Sequence, residues 1–352
     1  MRIFLLPLSF LFRIIVFIRN KMYNWRIIKP VELNSKVISV GNISAGGTGK
    51  TPFVELLAKY IISAGKFPVI VQKGFKRESD DMKVVEFDFK NEANQLNSEN
   101  FGDEGLLLLE NFNNDHTGKG LLVICDKKSS AAKFADSKFK PDVIIIDDGF
   151  QHRKLARQLD IVLLSETKNN FLIPAGNYRE PHSAIYRADI VIVNDKFNDD
   201  LFIVKTKNKP RVTCKYELEN FVNIKGEILK NENLSAVAFC GIADPDSFKA
   251  LLDKENVKIS GFLTFPDHHS FNQEEIQRIM NESKKHHLQP IITTQKDFVR
   301  IKNSELVLKS TTDNLYKDLL YNYPLYYAKI KMQISNNAQF LYDRIDELLK
   351  LP

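Results

Sequence analysis

From residue 36 onward, the chain alternates short runs of apolar residues with longer segments in which apolar positions recur at helical spacing. This alternation is typical of βαβ units, which build a mainly parallel sheet with helices on both faces. The sequence therefore predicts an α/β fold. The strands predicted in the first half of the chain are Val37–Val40, Pro68–Val71, Leu121–Cys125, Val143–Ile146, Ile161–Leu164 and Ile190–Val193. The helices predicted between them are Thr51–Ser63, Asp103–Asn111 and Ser129–Ala135.

The second half of the chain begins with a change of apolar period. Residues 211–233 alternate with a period of two, and Lys225-Gly226 has turn composition, so we expect a β-hairpin that links two α/β units. Asn272 and Glu275 form a capping-box pattern, which predicts that a helix begins directly after Asn272. The predicted strands of this second, smaller unit are Ala236–Cys240, Ile259–Phe265, Pro290–Thr294 and Leu325–Ile330. Its predicted helices are Ser247–Leu252, Gln273–Lys285 and Ala338–Leu349.

The N-terminus has a pattern of its own. Residues 3–18 are almost entirely apolar, and basic and aromatic side chains follow over residues 19–26. A membrane-spanning helix needs about 20 apolar residues, but Arg13 interrupts a shorter run. Ser9, Arg13 and Asn20 form a narrow polar stripe at helical spacing, so we expect a helix that lies in the membrane interface. A helix packed on its own domain and a secretory signal are the alternatives.

The segment between the first predicted strand and the first predicted helix has the composition of a phosphate-binding loop. It reads VGNISAGGTGKT from Val40 to Thr51, and Ser44 stands where the general pattern GxxxxGK(S/T) has its first glycine. In such a loop, backbone N–H groups bind phosphate oxygens, Lys50 reaches the β- and γ-phosphates, and Thr51 binds Mg²⁺. A glycine-rich turn without a ligand is the alternative. The residues predicted to bind nucleotide are Ser44, Ala45, Gly46, Gly47, Thr48, Gly49, Lys50 and Thr51.

A pair of aspartates follows one of the predicted buried strands. Val143–Ile146 ends directly before Asp147 and Asp148. A carboxylate at the carboxyl end of a strand beside a P-loop is where a Walker B acid holds Mg²⁺. We therefore expect a P-loop NTPase-type sheet in which Thr51, Asp147 and Asp148 bind the metal, although paired aspartates can also simply begin a turn.

Length and composition limit the classes of protein. The 352 residues favour two domains, and 43% hydrophobic with 27% charged residues excludes a disordered or polytopic membrane protein. The 50 basic and 44 acidic residues leave a net charge of +6. This excess is too small to indicate nucleic-acid binding by itself, but it favours binding to anionic membranes or to phosphorylated substrates. Three widely spaced cysteines argue against disulfides and a zinc site. The expected segments are the N-terminal helix (1–30), the P-loop unit (31–210), the hairpin linker (211–233) and the smaller unit with its C-terminal helix (234–352).

Several motifs occur together in a fixed order. They are GNISAGGTGKTP at 41–52, DDGFQHR at 147–153, IPAGNYREP at 173–181, FPDHH at 265–269 and TTQKD at 293–297. This set closely resembles the tetraacyldisaccharide 4'-kinase family of Gram-negative bacteria, and the resemblance extends from the apolar N-terminus through the last motif. DDGFQHR together with the P-loop is its most specific pair.

The resemblance implies an activity and a location. It implies ATP- and Mg²⁺-dependent phosphorylation of the 4'-hydroxyl of a tetraacylated glucosamine disaccharide 1-phosphate, which yields the 4'-phosphorylated lipid A precursor. It places a peripheral, monotopic enzyme on the anionic cytoplasmic face of the inner membrane, and we expect a monomer without a nucleic-acid partner. Two segments depart from the family: Gln295 replaces the usual Glu, and Lys73-Gly74-Phe75 stands where Arg-Gly-Tyr is more common.

The resemblance also implies roles for individual residues. The family's proposed base corresponds to Asp103, which is paired with the first histidine of the DHH segment, His268. An aspartate in a first helical turn can instead simply cap the helix. Arg179 is expected to neutralise charge on the transferring phosphoryl group, and Glu180 to support Mg²⁺ through the outer shell of the site, although the two could also form a surface ion pair. The residues expected to orient phosphate or substrate are Gln151 and His152.

Two other classes of P-loop protein are alternatives. Membrane-associated ATPase switches of the ParA/MinD kind carry a signature lysine before the double glycine, where this chain has Ala45. GTPase-type metallochaperones need Cys/His ligands and an NKxD motif, and residues 193–196 read only VNDK. Both differences favour the kinase.

Overall fold

The structure is a computed structural model, and it describes residues 2–74, 81–87, 98–114, 118–165, 171–195, 209–230, 233–304, 307 and 314–351. Positions 75, 196 and 231–232, which belong to segments named above, lie outside these ranges. The described strands are β1 (Lys36–Asn42), β2 (Pro68–Gln72), β3 (Lys83–Glu86), β4 (Leu121–Ile124), β5 (Val143–Asp147), β6 (Leu159–Leu164), β7 (Ile190–Asn194), β8 (Arg211–Val222), β9 (Ser235–Cys240), β10 (Lys258–Thr264), β11 (Ile291–Thr294) and β12 (Leu325–Asn336). The described α-helices are α1 (Leu6–Asn24), α2 (Lys50–Ser63), α3 (Ser98–Asn114), α4 (Lys128–Phe139), α5 (Pro245–Lys254), α6 (Gln273–Lys285), α7 (Gln295–Lys302), α8 (Leu315–Tyr321) and α9 (Ala338–Leu349).

The described strands form one sheet in the order β10-β9-β11-β12-β8-β7-β6-β1-β5-β2-β4-β3. Its neighbouring strands are parallel except in the pairs β3–β4 and β8–β12. The central strands β5 and β6 are buried along their whole length, as parallel strands covered by helices on both faces must be. The predicted α/β fold is confirmed. Because β1 lies between β5 and β6, its loop opens beside the end of β5, where Asp147 pairs with Val40.

The prediction that residues 211–233 form a β-hairpin linker is wrong about which strands pair with residues 211–222. Residues 211–222 form the single strand β8, which pairs antiparallel with β12 and parallel with β7. The expected turn does form, since the Gly226 N–H donates to the Asn223 carbonyl at 3.0 Å. Among the described residues, the chain after the turn pairs back only next to the turn, through the Val222–Ile228 bridge and the bond from the Leu229 N–H to the Phe221 carbonyl at 2.9 Å. A period of two specifies a strand with two faces but not its partner. The long strand β12 takes that place, and the β8–β12 pair joins the two units into one sheet.

Helices with strong local signals have the predicted bounds. α6 begins after Asn272, whose side chain accepts from the Glu275 N–H at 2.9 Å while the Glu275 carboxylate accepts from the Asn272 N–H at 2.9 Å, so the capping box is confirmed. The predicted bounds of α9 are also correct. Short elements were missed because a few residues show little periodicity. The missed elements are β3, α7, α8 and a 3₁₀ helix at His182–Arg187.

The N-terminal helix α1 packs on the P-loop unit along a narrow inner side. Ser9 and Val16 are buried, and the Ser9 hydroxyl donates to the Leu172 carbonyl at 2.6 Å. The predicted polar stripe lies along this inner side: Ser9 and Asn20 hydrogen-bond to the protein, whereas the longer Arg13 side chain is exposed. Among the helices of the described residues, none has the length and hydropathy needed to cross a bilayer. The large apolar side chains left exposed on this helix and the turn before it are Phe4, Leu6, Leu8, Phe10, Leu11, Ile14, Ile15, Phe17 and Ile18.

Candidate active site

The predicted P-loop joins β1 to α2 and turns sharply against β7 and β8. Gly46 and Gly49 have φ values of 111° and 87°, a region that residues with a Cβ rarely adopt. A Cβ on Gly49 would also collide with the Asn194 amide and the Tyr216 hydroxyl. Ser44, which replaces the usual first glycine, is buried. The loop therefore needs glycine at positions 46 and 49, where the chain turns, but accepts a side chain at position 44, where the loop begins.

The loop is held in place by its own surroundings. Asn42 Nδ2 donates to Thr48 Oγ1 at 2.9 Å, and Asn194 Nδ2 donates to the Thr48 carbonyl at 3.1 Å. The Ala45 N–H donates to the Asn177 carbonyl at 2.6 Å. These bonds come from three different parts of the chain, so the loop conformation is set by the fold.

Lys50 and Thr51 lie beside the two aspartates, as predicted. Lys50 Nζ is 3.5 Å from Asp148 Oδ1, and Thr51 Oγ1 is 3.4 Å from Asp147 Oδ2. Gln72 Nε2 donates to the same Asp147 oxygen at 2.9 Å. The other oxygen, Asp147 Oδ1, is buried without a hydrogen-bond partner among the described residues. An uncompensated carboxylate oxygen beside a hydroxyl fits a divalent cation.

Asp147 is mostly ionised at pH 7, as a ligand of a divalent cation must be. Burial raises its pKa to about 6, and the nearby Glu104 carboxylate acts in the same direction, whereas Lys50 and Lys128 oppose it. Within the described residues, no cluster of three or more His, Cys, Asp or Glu ligands occurs. Mg²⁺ in nucleotide sites commonly uses only one or two carboxylates together with phosphate oxygens. Thr51, Asp147 and Asp148 therefore suffice for a nucleotide-bound Mg²⁺.

Asp148 is surrounded by cations. Burial disfavours its ionised form, but Lys50, Lys128 and Arg179 outweigh burial and lower its pKa to about 2. Arg179 Nη1 donates to both Asp148 oxygens at 2.9 Å. Lys128 is a site residue that sequence reasoning missed: its buried ammonium donates to the carbonyls of Asp147 and Asp148 at 2.7 and 2.9 Å. No motif marks it, because it starts α4, remote in sequence from both aspartates.

A cavity of about 270 Å³ lies on the Asp148 side of the P-loop. Gln151 Nε2 donates to the Asn42 carbonyl at 2.7 Å, so this side chain braces the start of the loop. Burial lowers the pKa of His152 to about 4, and nearby cations add to the effect, so the ring is neutral at pH 7. Both residues thus line a cavity with an excess of positive charge. Its lining residues are Lys73, Asp126, Lys128, Asp148, Gln151, His152 and Arg179.

Glu180 does not lie where the sequence analysis expected it, beside the metal-binding residues. Its side chain is fully buried, and its carboxylate accepts bonds from Arg187, Arg19 and Asn20 at 2.7–3.2 Å. The prediction that Glu180 supports the metal is therefore wrong. The backbone bends at residues 179 and 180, and the Arg179 side chain is directed at Asp148, whereas the Glu180 carboxylate is directed at α1.

Asp103 and His268 come together as expected, although they belong to different units. Asp103 begins the regular part of α3, after a kink at Gly102 with φ 71° and ψ 159°. Its Oδ2 lies 3.1 Å from His268 Nδ1. A carboxylate can only accept, so the ring nitrogen that faces it donates. Lys296 Nζ lies 3.2 Å from the opposite ring nitrogen, Nε2.

Arg300 is a further residue at this pair that the sequence analysis did not identify. Its Nε donates to Asp103 Oδ2 at 2.7 Å, and its Nη1 donates to Asp297 Oδ1 at 2.7 Å and to the Gly241 carbonyl at 2.9 Å. Burial disfavours the ionised form of Asp103, but the bond from His268 and the charge of Arg300 lower its pKa to about 2. A signal was present, because Lys296 and Arg300 are one helical turn apart in the segment that starts with TTQKD.

The P-loop, its paired aspartates and a carboxylate–histidine pair on one α/β sheet define a P-loop phosphotransferase. A family model described as tetraacyldisaccharide-1-P 4'-kinase matches residues 1–350. The chain therefore belongs to the tetraacyldisaccharide 4'-kinase family, a family of kinases of lipid A biosynthesis. This confirms the resemblance and disfavours the ATPase-switch alternative.

Individual relatives agree over nearly the whole chain. The tetraacyldisaccharide 4'-kinase of Koribacter versatilis is 32% identical, over 98% of this chain and 98% of that protein. The tetraacyldisaccharide 4'-kinase of Desulfotalea psychrophila is 34% identical, over 94% of this chain and 92% of that protein. The crystal structure of LpxK from Aquifex aeolicus in complex with ATP is 28% identical, has a TM-score of 0.76 and covers 99% of both chains.

Proposed function

We propose that this kinase transfers the γ-phosphoryl group of ATP to the 4'-hydroxyl of a tetraacylated glucosamine disaccharide 1-phosphate. One observation carries the proposal: the first turn after the kink in α3, which contains Asp103, lies beside Gln72, and Gln72 donates to Asp147 next to the P-loop. Glu104, the residue after Asp103, is close enough for its charge to raise the pKa of Asp147. A proton acceptor and a phosphate site thus lie at one carboxyl edge of the sheet, as phosphoryl transfer requires.

The nucleotide side uses the P-loop. Backbone N–H groups of the loop would bind the phosphates, except those of Ala45 and Thr48, which donate to the Asn177 and Gly46 carbonyls. Lys50 would contact the β- and γ-phosphate oxygens. Thr51, Asp147 and Asp148 would hold Mg²⁺, which neutralises phosphate charge when bound. Because the loop is already braced from several sides, little reorganisation is needed when the nucleotide enters.

The acceptor side uses Asp103. A pKa of about 2 makes this carboxylate a weak base, but phosphoryl transfer passes through a loose transition state in which the attacking hydroxyl loses its proton late. The main task of Asp103 is therefore to orient the hydroxyl and to accept its proton as the new O–P bond forms. His268 and Arg300 hold the carboxylate in place through two bonds to Oδ2, which leaves Oδ1 to face the acceptor.

Arg179 and the cavity beside it complete the proposal. Arg179 shares Asp148 with Lys50, so its guanidinium lies where it can stabilise charge on the transferring group. The cations Lys73 and Lys128, together with Gln151 and His152 in the cavity wall, suit an anionic sugar such as the acceptor.

The N-terminal helix suits an acceptor that stays in a bilayer. Its exposed apolar side chains can insert among lipids, while Lys21, Trp25 and Arg26 lie at its end, where headgroups would be. We infer peripheral binding to the anionic cytoplasmic face of the inner membrane, by a monomer that has no nucleic-acid partner. Lys21 packs over the rings of Phe17 and Trp25, which keeps its charge at this edge.

The experiment is direct phosphoryl transfer. Purified protein is incubated with γ-labelled ATP, Mg²⁺ and the tetraacylated disaccharide 1-phosphate in mixed micelles, and the labelled lipid is identified by mass. We expect a labelled 4'-phosphate, and no labelled lipid from an acceptor that lacks the 4'-hydroxyl. Equal labelling of both acceptors would contradict the proposed site of transfer, and ATP binding without any labelled lipid would contradict the acceptor.

A further inference from the structure

Glu180 accepts hydrogen bonds from α1, whereas its sequence neighbour Arg179 donates to Asp148. Arg187 donates to its two oxygens at 2.7 and 3.2 Å, Arg19 Nη2 donates to Oε1 at 3.0 Å, and Asn20 Nδ2 donates to Oε2 at 2.9 Å. Burial disfavours the charge of Glu180, but these bonds outweigh burial and lower its pKa. A buried carboxylate with four donors has little freedom to move. Glu180 therefore fixes the last turns of α1 to the segment that carries Arg179.

A second segment of the active site binds the same part of the helix. Arg153 Nη1 donates to the Asn20 carbonyl and Nη2 to Asn24 Oδ1, both at 2.9 Å, and its guanidinium lies over the Tyr23 ring. The preceding residue, His152, lines the cavity beside Asp148. Two motifs thus share one arrangement, in which one residue faces the site and the next holds α1.

The segment before Glu180 is also bonded to the P-loop itself. The Arg179 N–H donates to the Ile43 carbonyl at 2.8 Å, and Ser44 forms an antiparallel bridge with Tyr178. A displacement of Glu180 would therefore move Arg179 and the entry of the P-loop together. Direct contact through bonded backbone is the kind of contiguous network that can transmit a shift.

We propose that Glu180 is a positioning residue. Through its bonds to Arg19 and Asn20, the packing of the N-terminal helix against the P-loop unit helps to fix the active-site segment that carries Arg179. The helix then sets the place of Arg179 as well as supplying an apolar surface. This inference rests on the role proposed above for Arg179.

The test compares two arginines of one helix. Arg19→Gln and Arg13→Gln each remove one positive charge from α1, but Arg13 is exposed and only Arg19 bonds Glu180. We expect both variants to lose the same affinity for vesicles of phosphatidylglycerol and phosphatidylcholine. In detergent micelles, Arg19→Gln should lower kcat roughly tenfold with little change in KM for ATP, because a misplaced Arg179 affects the transition state. Arg13→Gln should keep kcat in micelles.

Two further variants separate positioning from a general structural role. Arg19→Lys retains one donor for Glu180 Oε1 and should recover most of kcat. Glu180→Gln should lower kcat in the same direction, and the double variant Arg19→Gln/Glu180→Gln should lose less than the sum of the two. Equal kcat for Arg19→Gln and Arg13→Gln, or a lower melting temperature of Arg19→Gln with unchanged kcat, would overturn the inference.

Arg179→Gln distinguishes this inference from the proposed function. If Arg179→Gln loses turnover while Arg19→Gln behaves like Arg13→Gln, the proposed function stands and the coupling through Glu180 is overturned. If Arg179→Gln keeps wild-type turnover, the role of Arg179 is contradicted, and with it the basis of the coupling.

Discussion

Asp103 and His268 are 165 positions apart in the chain, yet Asp103 Oδ2 and His268 Nδ1 are separated by 3.1 Å. The contact joins the kinked start of α3 in the P-loop unit to the loop after β10 in the second unit. Both units therefore contribute to the proposed acceptor site, with Asp103 from one and His268 from the other.

The first prediction concerns this pair. Asp103→Ala should lower kcat by about 10²–10⁴-fold with little change in ATP affinity, since a base acts on the acceptor hydroxyl in the transition state. His268→Ala should act in the same direction. Steady-state kinetics of the two variants and of the double variant provide the measurement. Losses that add strictly would show that the residues act independently.

The second prediction concerns Lys50. Lys50→Ala should reduce turnover by about 10²–10³-fold because charge stabilisation of the transferring phosphoryl group is lost. Lys59→Ala is a matched control, as it removes the same charge from α2 but affects the Glu55 ion pair, not the P-loop. Similar turnover of the two variants would contradict the assignment of the loop.

The third prediction concerns Arg300. Its side chain is only 6% exposed, and Asp297, which it bonds, is fully buried. Arg300→Met should reduce the free energy of unfolding by about 3 kcal/mol, because a buried carboxylate loses its partner. Urea unfolding compared with Arg278→Met, an exposed arginine of α6, measures the difference. Equal midpoints for the two variants would show that the network contributes nothing to stability.

The fourth prediction is a pH dependence. The folded-state pKa of Asp103 is about 2, below its ordinary value of 3.8, so its ionised form stabilises the fold above pH 3.8. That contribution, on the order of 2 kcal/mol, is lost as pH falls from 3.8 through 2. The stability difference between wild type and Asp103→Asn should therefore be constant from pH 7 to 5 and shrink toward pH 3. Urea midpoints across this range test it, and a difference that grows on acidification would have the wrong sign.

The fifth prediction concerns the membrane. Reversing two charges at the end of α1, with Lys21→Glu/Arg26→Glu, should weaken co-sedimentation with anionic vesicles, and added salt should reduce the difference from wild type. Lys249→Glu/Lys258→Glu changes the charge equally on exposed residues of the second unit. Equal sedimentation of both double variants would leave α1 without an electrostatic role at the bilayer.

The sequence alone determined the features whose signals are local. The P-loop, the aspartate pair at the end of β5 and the capping box at Asn272 each depend on residues that are adjacent or within one helical turn, so their chemistry can be read directly from the chain. The pairing of Asp103 with His268 came from a different source, the resemblance of motifs to a known family, since no local pattern relates residues so far apart.

Only the tertiary structure decided which distant segments meet and which way side chains point. A period of two in residues 211–222 predicted a strand, but the partner β12 lies about a hundred residues later, and strand pairing depends on the whole topology. Lys128 and Arg300 became site residues because their helices carry them to the carboxyl edge of the sheet. Glu180 contacts α1, whereas its neighbour Arg179 contacts Asp148, because the chain bends at these two residues, and no sequence motif records that choice.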